Sequence, residues 1–120
     1  LKTVLVVDDT PDSIMVLCAL LKGRYDTRVA ISGEAALRLL GAAPVDLVLL
    51  DAVMPGMDGY EVCRRIRANP ATVAVPVVFL TAQSAPEDAA RAVAAGASGH
   101  LAKPVEPALL LAMVERLLAR

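Results

Sequence analysis

Leu47-Val48-Leu49-Leu50 is an apolar run without a polar break, preceded by Val45-Asp46 and stopped by Asp51. Successive side chains of a strand point to opposite faces, so a continuous apolar run must bury both faces at once. Strands of a parallel sheet covered by helices on each side meet that demand. After Asp51 the chain passes through Ala52-Val53-Met54-Pro55-Gly56-Met57-Asp58-Gly59, a stretch dense in turn residues. A carboxylate at the carboxyl end of a buried strand, followed by a loop, lies where open α/β sheets keep their ligands. Taken alone, Asp51 reads equally well as an acid that caps or solvates a strand end.

The pattern repeats along the chain. Thr3 to Val7 is a first apolar strand that ends on Asp8-Asp9, and Thr10-Pro11 then starts a helix, Thr10 as N-cap and Pro11 at the first helical position. Ile14, Leu17, Cys18 and Leu21 recur at helical spacing as its buried stripe, and Gly23 closes it. A short strand over Asp26–Ile31 precedes a helix capped by Ser32, with Ala35, Ala36, Leu39 and Leu40 as its apolar side before Gly41. Asp58-Gly59-Tyr60-Glu61 predicts a capping box opening a helix through Val62, Cys63 and Ile66 that fades at Asn69-Pro70. Pro76 to Leu80 is a fourth strand ending on Thr81. Ser84-Ala85-Pro86-Glu87 carries a second capping-box signature, for a helix that ends at Gly96 and offers alanines and Val93 to the core. Small side chains bury little area, which makes this the most weakly anchored helix expected. A brief strand over Ser98–Ala102 leads to Lys103-Pro104, and a last helix starts at Glu106-Pro107 with Leu110, Met113, Val114, Leu117 and Leu118 inward. Strands and helices alternating about five times over short connections specify a parallel sheet with right-handed crossovers and helices on both faces.

Length and composition narrow the functional classes. A chain of 120 residues, 57% hydrophobic, suits one domain with a well-filled core. With no Trp, one Phe and two Tyr, stacking on nucleic-acid bases is an unsuited mode, and a net charge of −1 without a basic run argues against direct nucleic-acid binding. Cys18 and Cys63 do not make a disulfide framework, and both fall on apolar helix sides, which fits buried free thiols and a reducing, cytoplasmic setting. No apolar segment approaches a membrane span and no signal-peptide pattern opens the chain. The start at Leu1 suggests a domain from a longer polypeptide, with its output outside these residues.

All carboxyl ends of a parallel sheet lie on one edge. The residues just past the strands are Asp8 and Asp9, Asp51, Thr81 and Lys103. Each has an ordinary explanation alone: Asp8 and Asp9 favour a helix N-terminus, Thr81 ends a strand and Lys103-Pro104 makes an exposed turn. Together they are three acids, a hydroxyl and an amine at one edge. Clustered carboxylates repel, and a divalent cation relieves them. Oxygen-only donors suit Mg²⁺, which takes few carboxylates and keeps several waters. A phosphoryl group placed there would meet the metal, the Lys103 ammonium and the Thr81 hydroxyl. The one histidine, His100, leaves no Ser-His-Asp or Cys-His arrangement to assemble, and no Gly-rich phosphate loop is present.

Val7-Asp8-Asp9, Leu50-Asp51 with Met54-Pro55-Gly56-Met57-Asp58-Gly59, Leu80-Thr81-Ala82, Gly96-Ala97 and Lys103-Pro104, in this order and spacing, resemble the receiver domain of two-component response regulators over residues 1–120. The resemblance implies a flavodoxin-like (βα)5 three-layer sandwich with a parallel five-stranded sheet of order 2-1-3-4-5, a fold for which the general rule itself is illustrated with a receiver. It also implies that Asp51 accepts a phosphoryl group from the phosphohistidine of a sensor histidine kinase or phosphotransfer protein. Mg²⁺ would be held by Asp9, Asp51 and the main-chain carbonyl of Val53, with Asp8 acting through water. Lys103 would pair with Asp51, the Lys103–Pro104 bond would be cis, Thr81 and His100 would form the switch, and Pro55, Gly59 and Pro104 would shape the turns. Such a domain is a phosphorylation-controlled switch rather than a turnover enzyme, assists its own phosphorylation and dephosphorylation, and relays the signal through the face of the fourth helix, fifth strand and fifth helix to an effector domain or downstream protein.

Two departures from the family pattern stand out. His100 occupies the usual position of a switch Tyr or Phe, and Ser98-Gly99 replaces acids that many receivers use in a homodimer through that face, so such a homodimer is less supported. Of the competing classes, haloacid-dehalogenase-type phosphatases carry a second acid two residues after the nucleophile, where this chain has Val53. A docking module that has lost phosphorylation would not need Asp8, Asp9, Asp51, Thr81 and Lys103 together.

Overall fold

The computed structural model describes residues 1–82 and 86–119, the Pro86 side chain excepted. Five strands and five helices alternate: β1 (Thr3–Val7), α1 (Pro11–Leu21), β2 (Asp26–Ala30), α2 (Gly33–Ala42), β3 (Leu47–Asp51), α3 (Gly59–Ala68), β4 (Val77–Thr81), α4 (Pro86–Ala95), β5 (Gly99–Ala102) and α5 (Pro107–Leu118). The strands form one parallel sheet in the order β2-β1-β3-β4-β5. This is the flavodoxin-like arrangement, with helices layered on both faces.

The continuous apolar runs are explained by two cores, one on each side of the sheet. Leu5, Val7, Val48, Leu50, Val77 and Phe79 point to a core completed by α2, α3 and α4, through residues such as Leu40, Ile66 and Ala92. Val4, Val6, Leu47, Leu49, Val78 and Leu80 point to the other, completed by Leu17 and Leu21 of α1 and Leu110 and Val114 of α5. Successive apolar residues of β1, β3 and β4 thus face one core and then the other, and these three strands are buried almost throughout. β2, at the sheet edge, keeps only Ala30 fully inside.

Several local expectations need correction. β2 stops at Ala30, leaving Ile31 largely exposed, and β5 begins at Gly99 rather than Ser98. α2 runs through Gly41 to Ala42. Val93 is 71% exposed, and among the described side chains of α4 the buried ones are Ala92 and Ala95. Their methyl groups remove little area from water, so the small apolar anchor expected for this helix is smaller still. Ile14 and Cys18 are half-buried, whereas Cys63 is fully enclosed. In α5, Leu110 and Val114 are buried, while Met113, Leu117 and Leu118 are partly covered.

The helix ends also differ in detail. Thr10 has the extended backbone of an N-cap but no side-chain cap bond. The Asp58 carboxylate does cap α3, accepting the Glu61 N–H at 2.9 Å. Glu61 does not reach back; its carboxylate binds Arg64 and Arg65 instead, so the box is half formed. The second capping box falls at Ser84-Ala85, outside the described residues.

Candidate functional site

The parallel register brings the strand ends to one edge. Asp8 follows β1 and its N–H donates to the Ala30 carbonyl, while Asp51 ends β3 opposite Leu80, and Thr81 ends β4 opposite Ala102. Lys103, one residue past β5, donates its N–H to the Thr81 carbonyl at 2.8 Å. Gly59 closes the loop after Asp51. Its N–H donates to the Ala52 carbonyl, and a side chain here would run into the Asp51 carbonyl oxygen and the Ala52 backbone. Glycine is therefore required where α3 starts against the strand that carries Asp51. Gly56 turns the same loop with φ +75°, beside exposed Pro55.

Asp8, Asp9 and Asp51 converge, with one carboxylate oxygen from each lying within 4.8 Å of the others. Asp8 is fully buried. Its Oδ1 accepts the Thr10 N–H at 2.9 Å and its Oδ2 accepts from Lys103 Nζ at 2.9 Å. Asp51 is 7% exposed, its Oδ1 accepts the Val53 N–H at 3.2 Å, and its Oδ2 lies 3.4 Å from Lys103 Nζ. Asp9 is exposed. The ammonium thus bridges two carboxylates: it meets Asp51, as the family resemblance implies, and lies closer still to Asp8. Lys103–Pro104 is cis.

The electrostatics follow from this packing. Burial pushes the Asp51 carboxyl above its ordinary pKa; Lys103 and the Val53 N–H oppose the shift, and the Asp8 charge adds to it. Burial disfavours the Lys103 ammonium, but the bond to Asp8 and the charges of Asp51 and Asp8 outweigh it and hold Lys103 above its ordinary value. Three carboxylates this close together, with one ammonium between two of them, could hold a cation. The donors fit Mg²⁺: all are oxygens, few in number, and Asp9 opens to water.

Thr81 is buried at the same edge. His100 lies on β5 in register with Phe79, with its side chain exposed. Val53 presents its side chain to solvent, 70% exposed. Pro104 lies in a groove of about 220 Å³ lined also by Val16, Leu17 and Lys103. Sequence reading missed the Asp8–Lys103 pairing. Its only signal was that Asp8 continues an apolar run and so is carried further inside than Asp9.

The family model of the response regulator receiver domain matches residues 4–115. The chain is 46% identical over 112 residues to a Vibrio cholerae protein named "Probable cyclic di-GMP phosphodiesterase", covering 93% of this chain and 25% of that protein. A response-regulator crystal structure from Chloroflexus aurantiacus superposes with a TM-score of 0.95 at 39% identity, over 99% of this chain and 98% of that one. The receiver domain of a Pseudomonas aeruginosa sensor histidine kinase, with a magnesium ion coordinated in its active site cleft, superposes with a TM-score of 0.92 at 31% identity, over 99% and 98% of the two chains. The chain spans a quarter to a half of the length of the curated relatives it matches. The strand order, the acids gathered at one sheet edge and the match over residues 4–115 agree: this chain belongs to the response regulator receiver domains of two-component systems.

Proposed function

We propose that residues 1–120 form one receiver domain in which Asp51 is the phosphoacceptor. The observation that carries this reading is the meeting of the Asp8, Asp9 and Asp51 carboxylates within 4.8 Å, with the Lys103 ammonium 3.4 Å from Asp51. A carboxylate oxygen of Asp51 attacks the phosphorus of a phosphohistidine on a kinase or phosphotransfer protein. The new O–P bond forms as the P–N bond breaks, and the imidazole nitrogen leaves with the electron pair and takes up a proton. Asp51 is pre-positioned by the Val53 N–H and by the Gly59 contact behind it. Positioning and charge are most of what a protein can contribute to phosphoryl transfer.

Asp9 and Asp51 would hold Mg²⁺ together with the Val53 main-chain carbonyl, and Asp8, whose oxygens already serve Thr10 and Lys103, would act through water. The ion supplies positive charge to the phosphoryl oxygens. Lys103 is placed to turn from Asp51 to a phosphoryl oxygen while keeping Asp8 as an anchor. Thr81 offers its hydroxyl from the neighbouring strand end, and His100 is the second switch residue, on the α4-β5-α5 face that passes the signal to an effector domain or downstream protein. No described helix is long and apolar enough to cross a membrane, and the proposed setting is the cytoplasm.

The test is intact mass after incubation with acetyl phosphate. Wild type should gain one phosphoryl group in Mg²⁺ and lose that gain in chelator, and Asp51→Asn should gain none. Label persisting in Asp51→Asn, or forming equally well in chelator, rules the assignment out.

A further inference from the structure

β2 is the outermost strand on one side of the sheet and pairs with β1. The Asp26 N–H donates to the Lys2 carbonyl, and the Ala30 carbonyl accepts the Asp8 N–H. In a parallel ladder the N–H and C=O of one residue turn to the same neighbour, and alternate residues share that neighbour. Asp26, Arg28 and Ala30 therefore bond to β1, and the main-chain groups of Thr27 and Val29 point outward. The Tyr25 N–H is spent on the Leu21 carbonyl. Its own carbonyl, opposite the Asp26 N–H in one peptide plane, faces outward too. Among the described residues none of these outward groups has a hydrogen-bond partner.

An unpaired edge is a template for another strand, and charged side chains ordinarily protect it. The charges of β2 act more narrowly. Asp26 and Arg28 are both exposed, lie on the face of the sheet that carries Leu5, and enter no ion pair among the described residues. Two copies of β2 meeting antiparallel about a two-fold axis at Thr27 place Asp26 of each opposite Arg28 of the other. An axis at Arg28 would set like cations face to face, one at Asp26 like acids, and one at Val29 would leave Arg28 facing Ala30. Axes between residues would oppose an outward residue to an inward one and make no ladder. Of the axes through Asp26, Thr27, Arg28 or Val29, the one at Thr27 alone pairs opposite charges. It also satisfies the outward groups: the Thr27 residues exchange N–H···O bonds, and each Val29 N–H meets the other copy's Tyr25 carbonyl. On the other face a groove of about 470 Å³, lined by Cys18, Ala19, Lys22, Tyr25 and Thr27, runs beside the same edge. Val29 shares that face with Val6 and is 38% exposed, so the other copy's Val29 would enter the groove beside Tyr25 and leave water.

We propose that the outer side of β2 is an interface between two copies of this chain, joined into one continuous sheet by antiparallel β2 strands with Thr27 on the two-fold axis. The interface is isologous, so each Asp26–Arg28 contact occurs on both sides of the axis. This goes beyond the phosphoacceptor reading. The interface lies across the sheet from β5 and uses neither Asp51 nor Lys103, so the two can fail separately.

Sedimentation equilibrium from about 10 µM to about 1 mM tests it. The average mass of wild type should rise with concentration toward twice that of one chain. Asp26→Arg opposes cations across the axis and Arg28→Asp opposes acids, and each should weaken association by roughly tenfold or more. The double variant Asp26→Arg/Arg28→Asp restores the pairs with their signs exchanged, and should recover wild-type association to within about threefold. Wild type that stays monomeric at the highest concentration, single variants that associate like wild type, or a double variant as weak as the singles overturns the proposal. Amide hydrogen exchange on wild type gives a readout that depends on no variant folding. The Thr27 and Val29 amides should exchange at least roughly fivefold more slowly at the high concentration than at the low one. Association that leaves these two amides exchanging equally fast places the contact elsewhere and removes the β2 interface.

Discussion

The two edges of the sheet handle their polar groups in opposite ways. At the amino edge several of them tie neighbouring segments together. Asp46 accepts the Thr3 N–H at 2.7 Å, Lys2 donates to the Leu118 carbonyl at 2.8 Å, and the Ser98 hydroxyl accepts the Val77 N–H at 3.0 Å. Arg67 alone reaches the Gly96, Val73 and Val75 carbonyls and Ser98. At the carboxyl edge three carboxylates face one another with one bridging ammonium between two of them. At the first edge these described contacts join protein to protein. The second is organised around charges that repel until something positive arrives, so stability and function are assigned to opposite ends of the same strands.

The largest effect should come from Lys103→Met. Asp8 is fully buried, and losing the cation bonded to it leaves an uncompensated internal charge, which costs about 3 kcal/mol. Urea unfolding in Mg²⁺-free buffer should show that loss, and millimolar Mg²⁺ should recover part of it. A cost no larger than that of the exposed-site variant Lys22→Met would mean that the carboxyl edge is not electrostatically strained.

Arg67→Ala probes the other edge. It deletes bonds to three main-chain carbonyls and one hydroxyl, two of them to the segment between Val73 and Val75, and should cost about 2 kcal/mol. This loss should be the same with and without Mg²⁺, and Asp51 should still take up phosphate in the mass assay. Recovery by Mg²⁺ would show that the two edges are coupled.

The carboxyl edge was far more legible in the sequence than the amino edge, and the reason is physical. Strand runs such as Val4–Val7 and Leu47–Leu50 fix a two-faced parallel sheet, and a parallel sheet places every strand end on one side. Asp8, Asp9, Asp51, Thr81 and Lys103 therefore converge before any distance is known. Which acid the ammonium prefers is decided by burial depth, which the spacing does not encode, so the Asp8 partnership was missed. Arg67 sits at the end of a helix like many solvent-facing arginines; its role depends on where the turns before β4 and β5 pass. The exposure of Val93 was missed for a similar reason. On a helix this rich in alanine, the pattern of apolar residues does not choose a face, and the packing of Ala92 and Ala95 against the Phe79 side of the sheet does.

A smaller effect, of opposite sign, is expected from Asp51→Asn. Burial first, helped by the Asp8 charge, raises the Asp51 pKa in the folded chain despite Lys103 and the Val53 N–H. The folded state therefore holds the proton more tightly than the unfolded state, and stability falls as pH rises from the unfolded value through the folded one. Asparagine removes that cost. In Mg²⁺-free buffer at neutral pH, Asp51→Asn should be more stable than wild type. The gain should vanish at acid pH, where Asp51 is protonated in both states. Added Mg²⁺ should narrow or reverse the order, because it binds wild type more tightly and stabilises by mass action. A variant less stable than wild type in chelator would contradict the strained-edge account.

The smallest effect separates burial from location. Glu61 also lies on the carboxyl side of the sheet, in the first turn of α3, yet its carboxylate is 38% exposed. Hydrogen bonds from Arg65 and then Arg64 hold its carboxyl below the ordinary value of 4.5. A depressed acid contributes stability that is present above the unfolded pKa and lost as pH falls through the folded one. With Arg64 and Arg65 themselves more than half exposed, solvent and salt screen the pairs, and deleting Glu61 should not register in urea unfolding. The pairing is instead visible in a carboxyl-detected NMR titration. The Glu61 midpoint should lie below 4.5, and Arg65→Ala should raise it more than Arg64→Ala, in keeping with the order of the two contributions. Molar salt should raise it as well. Neither Mg²⁺ nor Asp51→Asn should move it, because an exposed pair does not feel the buried cluster through water. A Glu61 midpoint that followed Mg²⁺ would mean that the strained region extends beyond Asp8, Asp51 and Lys103, into the surface of α3.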